Sequence, residues 1–125
     1  MSTQTKPLAF IIEDDSQLTD IFQQAMIMAD FETQTIANGQ LALDMLADHK
    51  PAVIILDIYL PEVSGDKILN YIRNDERLQK AIVILTSFDS LLADNLREQS
   101  DYVLLKPVSF TQLRDLAIRI HSTIL

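Results

Sequence analysis

Three carboxylates, one hydroxyl and one ammonium stand at the ends of apolar runs in this sequence. They are Glu13, Asp14, Asp57, Thr86 and Lys106. Because burying a lone charge at the edge of a core is unfavourable, Asp57, which ends the run AVIILD, needs a partner. Carboxylates that gather repel one another unless a cation neutralises them. Oxygen ligands without histidine or cysteine favour a hard cation, and a few carboxylates with waters suit magnesium better than calcium.

This set of groups is suited to an attack on phosphorus. An Asp57 carboxylate held between a magnesium ion and Lys106 could serve as the nucleophile. The metal and the ammonium would stabilise the charge on the phosphoryl oxygens, and the hydroxyl of Thr86 would lie nearby. The pattern therefore predicts that Asp57 accepts a phosphoryl group.

Taken singly, each group has a simpler interpretation. Asp57 could cap a helix or a turn, Lys106 could be a surface lysine, and Glu13 could be a solvated acid. The functional interpretation depends on their combination at the ends of successive strands. His49 and His121 are isolated from any group that could orient them, so both are predicted to be surface residues and neither phosphodonors nor ligands.

The elements that would position these groups alternate between strand and helix five times. Strands are predicted over residues 8–12, 33–37, 52–56, 81–85 and 102–105. Helices are predicted from Ser16, which could cap the first one, over residues 39–49, after Gly65, and over residues 90–99 and 109–124. Asn38-Gly39 indicates a turn or a helix entry. Unbroken apolar strands are typical of a parallel sheet with helices on both faces, whose functional crevice lies beyond the carboxyl ends of the strands.

Helical periodicity selects the side chains that should face the core. In the first helix these are Leu18, Ile21, Phe22, Ala25 and Met26. In the last helix they are Leu113, Leu116, Ala117 and Ile120. Methionine fills irregular gaps well, so Met26, Met28 and Met45 are expected to be core residues.

The bulk composition narrows the class of protein. A length of 125 residues, 48% of them hydrophobic, suits one domain with one core. The chain has no cysteine, so disulfides, thiolate metal sites and a cysteine nucleophile are excluded. A net charge of −8 argues against a nucleic-acid surface. The sequence shows no membrane-spanning run and no signal peptide, so a cytoplasmic location is predicted; residues 1–7 should be a disordered tail and residues 8–125 the folded domain.

Four motifs resemble, in order and spacing, the receiver domain of two-component response regulators. They are EDD after the first strand, LDIYLPEVSG, LTS and LLKPVS. The resemblance extends from about Leu8 to the end of the chain and is nearest to regulators of the chemotaxis type, in which the receiver stands alone. It implies a flavodoxin-like fold: a doubly wound, five-stranded parallel sheet in order 2-1-3-4-5 with five flanking helices.

The same resemblance implies roles at the acidic positions. Asp57 would be phosphorylated by a sensor histidine kinase or a phosphotransfer protein, and would also contact the metal. Asp14 would bind magnesium directly, Glu13 would act through a water, and the backbone carbonyl of Tyr59 would supply a further ligand. Asp15 would follow the acidic pair as a helix N-cap or a solvated charge.

Further roles are implied at the last two strands. Thr86 would hydrogen-bond a phosphoryl oxygen and move on activation, while Lys106 would pair with the phosphoryl group and precede Pro107 through a cis peptide bond. Receivers often carry an aromatic residue three positions before the lysine. Here that position is Val103, and Tyr102, one residue earlier, would point to the opposite face of the sheet.

The predicted function is signal transduction by an acceptor that is not a turnover enzyme. A phosphoryl group on the acceptor aspartate would shift a conformational equilibrium and alter a protein contact. The readout is expected to be a downstream protein or an output domain missing from this chain. The surface of helices four and five is the expected contact, and a homodimer through these helices is one form of it, because four apolar residues there lie outside the inward stripes: Leu91, Leu92, Ile118 and Leu125. Scattered exposed apolar residues, which are common, are the alternative.

Two other functions can be weighed against this one. A phosphatase of the haloacid dehalogenase type needs an aspartate two residues after its nucleophile, where this chain has Tyr59. A degenerate receiver that only binds a partner would not need the complete set of acids, threonine and lysine. Tyr59 and Phe88 are also expected to border the acceptor and shield it from water, unless both rings point away and pack on the rim.

Overall fold

Five parallel strands form one sheet in the order β2-β1-β3-β4-β5 in the computed structural model, which describes residues 5–124. The strands are β1 (Leu8–Ile12), β2 (Glu32–Ile36), β3 (Val53–Asp57), β4 (Ile82–Ser87) and β5 (Tyr102–Leu105). The helices are α1 (Ser16–Met28), α2 (Gly39–Asp48), α3 (Gly65–Asn74), α4 (Ser90–Leu96) and α5 (Phe110–Ile124), with a 3-10 turn at Arg97–Gln99. The predicted α/β class, strand order and five flanking helices are confirmed.

The strands are apolar on both faces because helices cover both faces. Along β1, Phe10 and Ile12 belong to a core shared with α2, α3 and α4, whereas Ala9 and Ile11 belong to a second core shared with α1 and α5. Every fully buried isoleucine or leucine of these cores contributes roughly 1.5–3 kcal/mol by leaving water. The alternation of side chains along each strand thus ties both helical layers to one sheet.

Helix starts are set by side chains that satisfy the free N–H groups of the first turn. Asp15, not Ser16, caps α1: its Oδ1 accepts hydrogen bonds from the backbone N–H groups of residues 17 and 18 at 2.9 and 3.1 Å. The backbone of Asp15 is still extended, which is the conformation that an N-cap needs, and Ser16 is already helical. The prediction of a Ser16 cap was therefore wrong. Asn38 caps α2 by accepting from the N–H of Leu41 at 2.8 Å, so the predicted helix entry is confirmed.

Some predicted inward positions are exposed. Ile21 is 38% exposed and Met28 is 63% exposed, so neither is a core residue as predicted. Both lie on the margin of the stripe that α1 buries, where a small rotation of the helix decides exposure. Met26 is fully buried and Met45 packs against the core, as expected. The four inward residues predicted in α5 are all buried.

The two histidines differ in their surroundings. His49 is exposed, as predicted. The side chain of His121 is only 16% exposed, and its ring packs edge-on against Phe31 with centroids 5.3 Å apart, so the prediction of a surface residue was wrong here. The aromatic neighbour gives this ring an apolar partner that helical periodicity does not reveal.

Residues 1–4 of the predicted tail, and Leu125, lie outside the described residues. Within the described part of that tail, the carbonyl of Pro7 accepts a hydrogen bond from the N–H of Glu32 at 2.9 Å. The ammonium of Lys6 lies 3.4 Å from a carboxylate oxygen of Asp30. Among residues 5–124, no helix has both the length and the apolar character needed to span a bilayer.

The amino end of the sheet is tied together by Arg73, near the end of α3. Its guanidinium donates to the carbonyls of Gln79, Ala81 and Gln99 at 3.0, 3.0 and 2.6 Å, and to a carboxylate oxygen of Asp101 at 2.9 Å. The same oxygen of Asp101 accepts from a backbone N–H at the start of β4 at 2.7 Å. One side chain therefore joins α3, the entry to β4 and the turn after α4.

Arg77 holds a neighbouring connection in the same way. Its guanidinium donates to the carbonyl of His49 at 2.7 Å and to the carbonyl of Leu46, at the end of α2. It also lies 3.6 Å from a carboxylate oxygen of Asp75. Carbonyls left free where α2 ends are thus satisfied by a cation, which is also the favourable charge at a helix carboxyl terminus.

Candidate functional site

The carboxyl edge of the sheet collects the five polar groups that were predicted to meet. Asp57 is the last residue of β3 and stands in register with Thr86 on β4. Ile12 pairs with Leu56, so the residue after each of them, Glu13 and Asp57, lies side by side at this edge. Lys106, which follows β5, reaches the same place and contacts both Glu13 and Asp57.

Asp57 has two partners, one for each carboxylate oxygen. Its Oδ2 lies 3.4 Å from Nζ of Lys106, and its Oδ1 accepts a hydrogen bond from the N–H of Tyr59 at 3.3 Å. Lys106 also lies 2.8 Å from Oε1 of Glu13, and all three charged side chains are at most 5% exposed. Lys106 is therefore not a surface lysine and Glu13 is not a solvated acid.

Three carboxylates gather here, and Lys106 contacts two of them, Glu13 and Asp57. Oxygen atoms of Glu13, Asp14 and Asp57 all lie within 4.8 Å of one another, with Asp14 exposed and the other two buried. Burial, and then the charge of Glu13, raise the pKa of Asp57 from 3.8 to about 6, against the opposing effects of Lys106 and of the N–H of Tyr59. Burial alone would lower the pKa of Lys106, but its hydrogen bond to Glu13 and the charge of Asp57 raise it above its ordinary value.

The donor set fits a hard divalent cation. All candidate ligands are oxygens, and a pocket of about 280 Å³ opens beside them. Glu13 is already engaged through both oxygens, since Oε1 contacts Lys106 and Oε2 accepts from the N–H of Asp15 at 3.1 Å. The exposed Asp14 is thus better placed than Glu13 to offer an oxygen directly.

The Thr86 hydroxyl is buried without a partner. Thr86 is 1% exposed, and its Oγ1 forms no hydrogen bond with any of the described residues. Leaving a buried hydroxyl unpaired costs about 1–3 kcal/mol. Such a group is ready to donate to an oxygen that arrives at the carboxyl edge.

β5, the strand before Lys106, has no aromatic side chain directed into the core that it shares with α2, α3 and α4, which we call the α2–α4 core. Val103 occupies the position three residues before the lysine and packs against that core. Tyr102 is 41% exposed, as expected for a residue that alternates with it. The Lys106-Pro107 peptide bond is cis, as the resemblance implies.

Two aromatic residues border the pocket at Asp57. Tyr59 is 55% exposed and Phe88 is 72% exposed, and both line the pocket. The Phe88 ring centroid lies 5.2 Å from Nζ of Lys106, within the range of a cation–π contact. The predicted position of both rings beside the acceptor is confirmed, and their shielding of it from water stays a prediction.

A contact that the sequence did not predict crosses the same rim. The hydroxyl of Tyr59 donates to Oδ2 of Asp89 at 3.1 Å. Asp89 also caps α4, because its Oδ1 accepts from the backbone N–H groups of residues 91 and 92, both at 3.1 Å. The helix cap lowers the pKa of Asp89, the hydrogen bond from Tyr59 lowers it further, and the same hydrogen bond raises the pKa of Tyr59. An aspartate before SLL is a recognisable cap, but nothing local indicates its distant partner.

The surface of α4 and α5 only partly matches its prediction. Leu91 is 73% exposed and Ile118 is 48% exposed. Leu92 is half-buried and packs against the α2–α4 core, so it was wrongly placed among the exposed residues. Between the two helices, β5 adds exposed Tyr102 and Leu105.

Comparison with known proteins places this arrangement in a family. A family model described as the response regulator receiver domain matches residues 9–118. The polar-differentiation response regulator DivK of Brucella anthropi is 32% identical over 87 residues, which cover 70% of this chain and 71% of that protein.

Solved structures agree in fold. The chemotaxis response regulator CheY4 of Vibrio cholerae matches with a TM-score of 0.84 at 18% identity, over 93% of this chain and 99% of that one. The signal receiver domain of a signal transduction histidine kinase from Syntrophus aciditrophicus matches with a TM-score of 0.82 at 23% identity, over 94% and 92% of the two chains. At such identities the likeness shows the fold alone. The family match and the DivK relative go further, and together they show that the chain belongs to the response regulator receiver domains of two-component signalling.

Proposed function

We propose that this receiver accepts a phosphoryl group on Asp57 from a sensor histidine kinase or a phosphotransfer protein, with magnesium bound beside it. The observation that carries the proposal is the buried Asp57 carboxylate, which lies beside Lys106 and two further carboxylates. A structural ion pair would need one acid for one lysine. The surplus of negative charge favours a second cation, and the pocket beside it favours a reacting group.

The transfer would be a displacement at phosphorus. A carboxylate oxygen of Asp57 forms the new O–P bond while the P–N bond to the donor imidazole breaks, and the imidazole keeps the electron pair. Lys106 balances negative charge on the phosphoryl oxygens, and Thr86 donates its unpaired hydroxyl to one of them. When bound, magnesium would neutralise the same oxygens; Asp14 and Asp57 would hold it, with Glu13 through a water and with the Tyr59 carbonyl.

The domain is proposed to be an acceptor and not a turnover enzyme. Turnover would require a group that activates water against the acyl phosphate. The position two residues after Asp57 carries Tyr59, whose side chain has neither a carboxylate nor an amide to orient a water. The acyl phosphate should therefore persist long enough to act as a signal.

The output is proposed to be a change in a protein contact on α4, β5 and α5. Their exposed apolar residues form one candidate surface: Leu91, Tyr102, Leu105 and Ile118. A downstream protein, an output domain or a second copy of this chain could bind there. The cytoplasmic location predicted from the sequence stays a prediction.

Phosphorylation with acetyl phosphate tests the acceptor. With magnesium, intact mass spectrometry should show one added phosphoryl group, and Asp57→Asn or EDTA should abolish it. Asp44→Asn, which changes an exposed aspartate of α2, is the matched control and should be phosphorylated like the parent. An adduct of full yield in Asp57→Asn or in EDTA would overturn the assignment.

A further inference from the structure

Helix α4 is the least anchored helix of the fold. It has seven residues, of which only Ala93 is fully buried. Leu92 and Leu96 pack partly against the core, and Leu91 is exposed. A helix this short is not stable by itself, so its position depends on what holds its two ends.

The carboxyl end of α4 is held firmly. The 3-10 turn that follows the helix ends at Gln99, whose carbonyl accepts from Arg73 at 2.6 Å. The same guanidinium binds Asp101, and Asp101 is also bonded to the backbone of β4. Movement at this end would break several charge-assisted hydrogen bonds at once.

The amino end of α4 is held more lightly. Asp89 precedes the helix, and its backbone N–H donates to Oγ of Ser87 at 2.9 Å. Beyond this local turn, the hydrogen bond from Tyr59, at 3.1 Å, joins Asp89 to another part of the chain. Its two residues are 30 positions apart, so it joins the loop after β3 to the loop after β4.

Tyr59 contacts both the acceptor and α4. Its backbone N–H donates to Oδ1 of Asp57, and its hydroxyl donates to Oδ2 of Asp89. A phosphoryl group on Asp57 would add negative charge and bulk where the N–H of Tyr59 now lies. On β5, the residue that packs against the core shared with α2, α3 and α4 is Val103, which is not aromatic. A connection outside that core, through Tyr59, is therefore a direct route from Asp57 to α4.

We propose that the Tyr59–Asp89 hydrogen bond is a latch that holds the amino end of α4 in the unphosphorylated protein. Its release lets α4 pivot about the end that Arg73 holds. Tyr59 is thus a positioning residue that acts on α4 through Asp89. The release by phosphorylation rests on the proposed acceptor function, whereas the latch in the free protein does not.

Amide hydrogen exchange of the unphosphorylated chain tests the latch. In Tyr59→Phe, the amides of Leu91, Leu92 and Ala93 should exchange about two- to tenfold faster, because one hydrogen bond that keeps this end closed is lost. Asp89→Ser should have the same effect, since serine retains the helix cap but cannot reach Tyr59. Tyr102→Phe removes another exposed tyrosine hydroxyl and should leave α4 unchanged. Unchanged exchange in Tyr59→Phe would overturn the latch.

A substitution at the carboxyl end of α4 tests whether the helix pivots about that end. Arg73→Lys keeps the charge but cannot make the same fork of hydrogen bonds. Exchange should then rise at residues 97–101, while Tyr59→Phe leaves these residues as in the parent. If Tyr59→Phe loosened both ends equally, α4 would not pivot and the proposal would be wrong.

Phosphorylation separates this proposal from the acceptor function. With acetyl phosphate and magnesium, the parent chain should show the same faster exchange at residues 91–93 as free Tyr59→Phe, and phosphorylated Tyr59→Phe should gain little more. If phosphorylation and Tyr59→Phe raised the exchange rates at residues 91–93 by fully additive amounts, phosphorylation would not act by releasing the Tyr59–Asp89 hydrogen bond. Absence of the phosphoryl adduct in the mass spectrum would instead overturn the acceptor function, and the free-state exchange would still decide the latch.

Discussion

The two ends of the sheet hold charge in opposite ways. At the amino end, the guanidinium groups of Arg73 and Arg77 donate hydrogen bonds to backbone carbonyls, and Arg73 also donates to Asp101. Each positive charge there is therefore paired with hydrogen-bond acceptors. At the carboxyl end, Glu13 and Asp57 share one lysine, and the buried hydroxyl of Thr86 forms no hydrogen bond within residues 5–124.

The difference shows which end is scaffold and which is site. Buried charge contributes to stability when every donor and acceptor is paired, and it is unfavourable when like charges face each other. The amino end should therefore be optimised for stability, whereas the carboxyl end should be less stable than it could be. Substitutions at the two ends should have opposite signs.

The largest expected effect is at the amino end. Arg73→Ala should lower the free energy of unfolding by about 3 kcal/mol, because it leaves three carbonyls and Asp101 without their donor. Urea denaturation measures the loss. Arg97→Ala is the control, since its pair with Asp94 is exposed and should matter by less than about 0.5 kcal/mol. Equal effects of the two variants would contradict the view that Arg73 secures this end.

At the carboxyl end, Asp57→Asn should stabilise the protein. The pKa of Asp57 is raised from 3.8 to about 6, so its ionised form is disfavoured in the folded state. Protonated Asp57 contributes to the free energy of unfolding. This contribution is fully present below about pH 4 and is lost as the pH rises through about 6. Without magnesium at pH 7.5, the variant should gain about 1–3 kcal/mol in free energy of unfolding.

Denaturation at two pH values checks this sign. The gain of Asp57→Asn should be much smaller near pH 4, where Asp57 is protonated in the folded state and about half protonated in the unfolded state. At pH 7.5, magnesium should bind and stabilise the folded state of the parent, so the difference in free energy of unfolding between the parent and Asp57→Asn should become smaller. Glu98→Gln, at an exposed acid of the 3-10 turn, should leave the stability nearly unchanged. A destabilised Asp57→Asn at pH 7.5 would show that the pair with Lys106 outweighs the repulsion.

The open rim of the site should control the lifetime of the phosphorylated form. Tyr59 and Phe88 cannot orient a water as a carboxylate or an amide can, and both rings border the pocket. Tyr59→Asn combined with Phe88→Glu should speed decay by roughly tenfold, about 1.4 kcal/mol of barrier. The decay of the adduct after removal of the donor is the measurement. Tyr59→Phe keeps the ring and should keep the lifetime; unchanged decay in the double variant would exclude control by these rings.

The smallest effect should come from one hydroxyl. Thr86→Val replaces the unpaired Oγ1 with a methyl group of similar size, so the unphosphorylated protein should gain about 1 kcal/mol in free energy of unfolding. Thr86→Ser keeps the hydroxyl, so its free energy of unfolding should not rise. Thr86→Val should still be phosphorylated, but its amide NMR shifts should respond less than those of Thr86→Ser. A full response in the valine variant would remove Thr86 from the switch.

Much of the fold was predictable because apolar runs and strand ends are local signals. The bounds of β1 and β5 agree with the sequence prediction. β3 ends one residue later than predicted, at Asp57, and β4 ends two residues later, at Ser87, so that the two strands include Asp57 and Thr86. Once the strands are parallel, their carboxyl ends must meet, which brings Glu13 and Lys106 to Asp57. The site followed from topology and chemistry together.

The misses have physical reasons. Ile21 and Leu92 were misplaced because helical periodicity gives the direction of a stripe but not its width. Arg73 was not singled out because most of its partners are backbone carbonyls, which every sequence contains. The Tyr59–Asp89 bond escaped for a similar reason: it depends on two loops meeting, and neither loop carries a pattern for the other.

The order of the strands also bears on how a growing chain would assemble. β1 lies inside the sheet, between β2 and β3, whereas Lys106 follows β5 at the far edge. During synthesis the amino-terminal part of a chain emerges first, although a single domain generally folds as a unit. Pairing of β1 with β3 would bring Glu13 beside Asp57 before the ribosome has made the only lysine that touches them in the described residues. An emerging half-domain would therefore carry an unbalanced pair of acids, and completion of β5 would supply the charge that closes the fold.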